Sequence, residues 1–348
     1  MRRYALIGVI TCAVGLLQLI KNYLDLHVED EELELLWRSE GTSHNQLSLG
    51  VCITGQFCRL EIENKFREFL GPSSRVYDVN IVFILADGPC QFVNSRTDVV
   101  TMTKEMILSE GEKYNIGSNN IQFVSKPSMP DFYQERYVQS LDKIEANSTA
   151  RALGHLHQWG SLAACLDHLK PSDLYVRIRD DSIFFDEFVP LASTLSTYDI
   201  GVPGCLSHGG FNDRGAIVRP EVALLYFKGL QQAYMYLYNI PAPSRGLLLG
   251  FMDLYDIPVP TKSYETFYFN AHNSESFFAS VMRLYGVSVK RLSAAKFPTV
   301  NAVSLGNDSV CFKTPAPHLI SCIPASSTSK LSIQGRSGLN CADARPEE

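Results

Sequence analysis

The 348 residues are 45% hydrophobic and 20% charged, a balance that supports a substantial core and excludes an intrinsically disordered chain. The formal net charge of -6 carries none of the basic footprint that accompanies nucleic-acid binding, so DNA and RNA are dropped as partners. No P-loop, dinucleotide fingerprint or Gly-x-Ser-x-Gly turn occurs, which removes nucleotide kinases and serine hydrolases as leading classes.

In chain order the first element is the uncharged run over residues 4–20, preceded by Arg2 and Arg3 and followed by Lys21. It reads as a transmembrane signal anchor at the short end of what spans a bilayer, with residues 1–3 cytosolic and the bulk of the chain lumenal. A cleaved signal peptide is the competing reading, but no small-x-small site follows the apolar run. A short span suits the thinner membranes of the early secretory route, hence a single-pass type II protein of the Golgi or endoplasmic reticulum. Residues 21–46, acidic and polar with Leu33, Leu35, Leu36 and Trp37 as apolar positions, read as a stem. Sequons at Asn147 and Asn307 agree with lumenal exposure. Of nine cysteines, Cys12 falls in the span and none of the others forms a C-x-x-C pair, so disulfides are favoured over zinc, with connectivity left open.

The globular part is expected over residues 47–314. A strand from Leu47 runs into the turn Gly55-Gln56, and a helix follows over Arg59 to Phe66. The nearly continuous apolar run Val79 to Leu85 suits a parallel strand covered on both faces, and a third short strand is read at Ile121 to Val124. Leu153, Leu156, Trp159, Leu162, Ala163, Leu166 and Leu169 form a helical stripe. Further strands are read at Asp199 to Pro203 and Val287 to Leu292, and helices at Pro220 to Leu237 and Ser274 to Tyr285. From Pro315 to Glu348 the composition predicts a disordered tail.

The most informative stretch is Leu174 to Phe185, where Arg177, Arg179, Asp180 and Asp181 interrupt a strand-forming run. Alternation puts Arg177, Arg179 and Asp181 on one face and Val176, Ile178 and Asp180 on the other. Unpaired buried charge costs several kcal/mol, roughly, so the run is expected to end at a cleft that takes a metal or a phosphate.

Three short motifs succeed one another along the chain: Gly55-Gln56 with Arg59, Arg177-x-Arg179-x-Asp181, and Asn212-Asp213-Arg214. In that order, behind a short anchor, they resemble glycosyltransferases of the GT-A fold, and within them the WavE-like lipopolysaccharide-synthesis sequences, over about residues 47 to 295. The resemblance implies an α/β, Rossmann-like GT-A single domain with a mostly parallel central sheet. It also implies a nucleotide-sugar donor, a glycan, lipid or protein acceptor, and Mn²⁺ or Mg²⁺ held by an Asp-x-Asp element. This chain has Arg-Asp-Asp-Ser there, which puts the metal in question. Asp181 is then the expected ligand, with Asp180 second.

The resemblance assigns phosphate or donor contacts to Gly55, Gln56, Arg59, Arg177, Arg179 and Asn212, and catalytic roles to Asp181, Asp213 and Glu275. Each has a plainer reading. Gly55 suits any tight turn, Asn-Asp pairs cap loops, a glutamate favours a helix start, and Arg and Asp can pair between strands. His155 and His157, two residues apart, cannot share a helix face and form no metal pair, while His272 could complete a metal shell or, as a lone loop histidine, be polar surface. The aromatics Tyr234, Tyr236, Tyr238 and Tyr264 to Phe269 serve sugar stacking or core packing equally well. Two other functions stay open: a non-catalytic, membrane-tethered carbohydrate-binding or scaffold protein of the same fold, and a metal-dependent phosphoester hydrolase, for which the chain supplies few ligands.

Overall fold

The computed structural model describes residues 46–87, 102–127, 149–204, 211–237, 274–293, 295–305, 309–313 and 320–324. The expected span over 4–20, the stem, both sequons, Tyr238, His272 and the aromatic run 264–269 lie outside these residues. Among the described residues no helix is long and apolar enough to cross a membrane.

Seven strands form the main sheet, in the order β3-β2-β1-β4-β7-β6-β8. They are β1 (Ser48–Gln56), β2 (Asp78–Ala86), β3 (Ile121–Val124), β4 (Leu174–Arg179), β6 (Ile200–Pro203), β7 (Gly215–Val218) and β8 (Val289–Leu292). The block β3-β2-β1-β4 is parallel, β7 runs antiparallel to β4 and β6, and β6 is parallel to β8. Apolar runs in β1 and β2 follow from burial on both faces. Leu49, Val51, Ile53, Ile81 and Phe83 enter one core, beneath α1 (residues 62–74) and α2 (Lys104–Lys113). Cys52, Val82 and Ile84 enter the other, beneath α3 (Thr149–His168), α5 (220–237) and α6 (Ser274–Tyr285). The short α4 spans Ala192–Leu195. From α3, the predicted stripe residues Leu156, Trp159 and Leu162 pack into this second core, with Cys165 and Leu169. Cys52 and Cys165 are joined by a disulfide that ties β1 to α3, and Cys58 is also disulfide-bonded.

Three expectations change. The run Leu174 to Phe185 is not one strand: β4 ends at Arg179, and β5 (Ser182–Phe184) leaves for a second sheet. That sheet has the order β11-β10-β9-β5 and is antiparallel, with β9 (Thr299–Leu305), β10 (Ser309–Lys313) and β11 (Ile320–Pro324). The mostly parallel sheet is therefore accompanied by an antiparallel one. Within the predicted disordered tail, Ile320–Pro324 is a strand that pairs with β10. Finally, the unmarked stretch between β2 and β3 holds α2, whose apolar periodicity is weak and whose start is capped by Thr103, which accepts from the Met106 N–H at 3.3 Å.

Candidate anion-binding cleft

The strand order reverses between β1 and β4: β2 and β3 follow on one side of β1, while β4 lies on its other side. In open α/β sheets the crevice outside such a switch point is where ligands bind. Here it holds a cleft of about 580 Å³, lined from β1 and its turn by Thr54, Gly55, Gln56 and Arg59. The ends of β2 and β3 contribute Ala86, Asp87 and Lys126. Helix α3 adds Gly154, His157, Gln158 and Ser161, and β4 adds Arg177 and Arg179.

Its floor is built by register. Thr54 stands opposite Arg179 in the parallel β1–β4 ladder, and the Asp180 N–H donates to the Thr54 carbonyl at 2.9 Å, so the chain turns at the level of Gly55. Gly55 has φ +145°, and a Cβ there would lie 2.0–2.4 Å from the Asp180 carboxylate. That carboxylate accepts from the Gln56 N–H at 2.7 Å and from Arg59 through a fork of 2.6 and 2.9 Å. Lys65, fully buried, donates its ammonium to the Asp180 and Ser182 carbonyls at 2.6 and 2.7 Å, fixing the turn from α1.

Along β4, Val176 and Ile178 enter one core while Arg177 and Arg179 line the cleft, as alternation predicts. Arg179 reaches Asp181 at 3.0 Å. Arg177 is fully buried and none of its three guanidinium nitrogens has a hydrogen-bond partner. Burial lowers its pKa, against Tyr226, Asp213 and Asp181. Burial also opposes charge on Asp181, yet Arg179, Arg59, Arg214 and Lys65 together hold it below the ordinary carboxylate range. Asp180 goes the other way, raised by burial and by Asp181 against the Arg59 fork. Two adjacent buried carboxylates are thus pushed apart.

Behind the lining, Gln158 donates to Asp213 at 2.6 Å. Burial raises that carboxyl, but Arg177, Arg179, Gln158 and Ser274 bring it below its usual value. Asn212 accepts from the Arg214 N–H at 2.9 Å, a local turn. The Phe211 N–H donates to the Glu275 carbonyl at 3.2 Å, which docks this loop on the first turn of α6.

Of the expected residues, Gly55, Gln56, Arg59, Arg177 and Arg179 therefore meet in the lining. Asp180, Asp181, Asn212, Asp213 and Glu275 are buried and lie outside it. Gly55 both lines the cleft and leaves room for the Asp180 carboxylate, a demand that neither of its two sequence readings names. Asp87, Lys126, His157, Gln158, Ser161 and Lys65 were missed. Asp87 and Lys126 lie one and two residues past the ends of β2 and β3, so position at a carboxyl end was the available signal. Nothing in the sequence marks Lys65. His155 packs against Tyr234 at 6.2 Å while His157 lines the cleft, so the two diverge as expected.

Among the described residues a divalent metal fits the donor set poorly. Both oxygens of Asp180, expected as a ligand, are committed to Arg59 and Gln56, and one oxygen of Asp181 is committed to Arg179. Among the described residues no three His, Cys, Asp or Glu side chains cluster as ligands.

No protein-family model and no curated protein sequence matches the chain. Among solved structures, the apo form of mouse xyloside xylosyltransferase 1 is similar at 11% identity and TM-score 0.34, over 71% of this chain and 85% of that one. An active-site mutant of LgtC is similar at 10% identity and TM-score 0.30, over 71% and 73%. Galactosyltransferase LgtC in complex with donor and acceptor sugar analogs is similar at 10% and 0.27, over 55% and 65%. Likenesses this loose decide nothing about the activity.

Proposed function

We propose that the chain is a glycosyltransferase that moves a sugar from a nucleotide-sugar donor to a hydroxyl of a glycan, lipid or protein. The observation that carries this reading is the cleft at the β1/β4 switch point, with Arg59, Lys126, Arg177 and Arg179 in its lining. Guanidinium forks match phosphate oxygens in geometry and charge. The resemblance of the Gly-Gln, Arg-x-Arg-x-Asp and Asn-Asp-Arg motifs supplies the sugar. In the reaction the acceptor oxygen bonds to the anomeric carbon, the bond from that carbon to the phosphate oxygen breaks, the nucleoside diphosphate leaves with the electron pair, and the hydroxyl proton passes to the departing phosphate or through a base to solvent. The basic lining is suited to stabilise that leaving group. The Cys52–Cys165 disulfide supports residence in an oxidising compartment. A type II anchor over residues 4–20 in the Golgi or endoplasmic reticulum belongs to the same proposal.

A second reading has its own observation. Among the described residues the only carboxylate in the lining is Asp87, while Asp181, Asp213 and Glu275 lie outside it. A nucleotide-sugar-binding protein of this fold without transfer activity would need no more. Nucleotide release from a panel of sugar nucleotides, with acceptors and with the full chain beside Asp181→Asn, separates the two. The transferase reading expects one preferred donor and loss of turnover in the variant. Binding without release in any combination supports the second reading.

A further inference from the structure

We infer that this cleft holds a nucleoside diphosphate without a divalent metal, with Arg177, Arg179 and Lys126 supplying the positive charge that an ion would bring. The inference rests on the nucleotide-sugar reading of the cleft and concerns how its diphosphate is neutralised.

The donor set comes first. A hard ion such as Mn²⁺ or Mg²⁺ needs about six oxygen ligands, several of them fixed by protein carboxylates or by phosphate. Asp180 is closed off by the Arg59 fork and the Gln56 N–H. Asp181 keeps one buried oxygen, Oδ1, without a partner, but its other oxygen is 3.0 Å from an Arg179 nitrogen. An ion on Oδ1 would sit among Arg179, Arg177 and Lys65 and meet their repulsion.

The second observation is Arg177. Its charge is fully buried and its Nε, Nη1 and Nη2 atoms make no hydrogen bond. Burying such a group unpaired is costly, and a buried polar atom without a partner marks a place built for something else. Arg177 lies in the lining with Arg179 beside it on β4 and Lys126 across from it after β3. A diphosphate placed there meets the unpartnered Arg177 guanidinium, the Arg179 donors not held by Asp181, and an ammonium, an arrangement that neutralises anionic oxygens through charge-assisted hydrogen bonds.

The test is titration calorimetry of the full chain with uridine, guanosine, cytidine and adenosine diphosphates and with inorganic pyrophosphate, in EDTA and then in excess Mn²⁺ or Mg²⁺. The expected result is binding of a nucleotide in EDTA with an affinity within about threefold of that in metal, weakened about tenfold or more by Arg177→Met and by Lys126→Ala. Lys126 is exposed, so its variant remains informative if Arg177→Met does not fold. Binding that appears only with metal overturns the inference and leaves the glycosyltransferase reading standing. Metal-free binding that neither variant weakens overturns the assignment of these residues. No binding under either condition overturns both.

Discussion

The Asp180 carboxylate occupies the space that a side chain at residue 55 would take, and that geometry makes Gly55 the most constrained position of the first motif. Gly55→Ala combines an unfavourable positive φ with a collision against a buried charge, and a loss of about 3 kcal/mol is expected in denaturant unfolding. Arg59, partly exposed, pairs with the fully buried Asp180, so Arg59→Met, which leaves that carboxylate without its guanidinium, should cost about 3 kcal/mol, and the double variant with Asp180→Asn less than the sum of the two single losses. A double-mutant cycle checks this; additive losses would place Arg59 outside the pair. For Lys65, burial lowers the pKa from 10.5 to about 8. Between those values the unfolded chain binds the proton and the folded chain has released it, so stability should rise with pH across that window and be flat below it. Relative to Lys65→Met, the native protein should gain ~2 kcal/mol from pH 8 to 9.5, read as the difference between the two unfolding free energies.

Elements were legible where one period dominates. The strands at Asp78–Ala86 and Ile121–Val124 and the helices at Thr149–His168 and Ser274–Tyr285 fall where their apolar patterns put them. The break of Leu174 to Phe185 into β4 and β5 was not legible, because Ser182, Ile183 and Phe184 have strand propensity whichever sheet they join. Their partner, Thr299–Leu305, lies more than a hundred residues away. Part of the site was readable for a related reason: charge inside an apolar strand marks Arg177 and Arg179, whereas Lys126, His157 and Gln158 become site residues only when β3 and α3 are brought to β4. The Cys52–Cys165 bond is an element-scale device, holding α3 and its cleft residues against β1. It closes a loop of sequence separation 113, and Cys52→Ser with Cys165→Ser should lower unfolding stability by about 4–5 kcal/mol on the loop-entropy scale. Equal melting temperatures for native and double variant would refute that role.

At the scale of the whole molecule the cleft depends on closure between distant parts of the chain. Its floor belongs to β1, its cationic wall to β4, and its helical side to Gly154, His157, Gln158 and Ser161 of α3. β1 and β4 contribute side chains to both cores, so loss of their pairing takes the cleft and the cores together, and nucleotide binding should be lost in the same transition as the fold. Fluorescence-monitored nucleotide binding along a denaturant titration checks this; loss of binding well ahead of the unfolding transition would contradict it. The same pairing sets a condition on biosynthesis. β1 ends at Gln56 and its parallel neighbour begins only at Leu174, so at ribosomal speeds of ~5–20 residues per second one edge of β1 waits roughly 6–24 s for its partner to be made. During that interval the nascent chain presents an apolar strand with open hydrogen-bonding groups. The yield of folded protein is then decided on the ribosome, by how well that edge is kept from pairing with another chain.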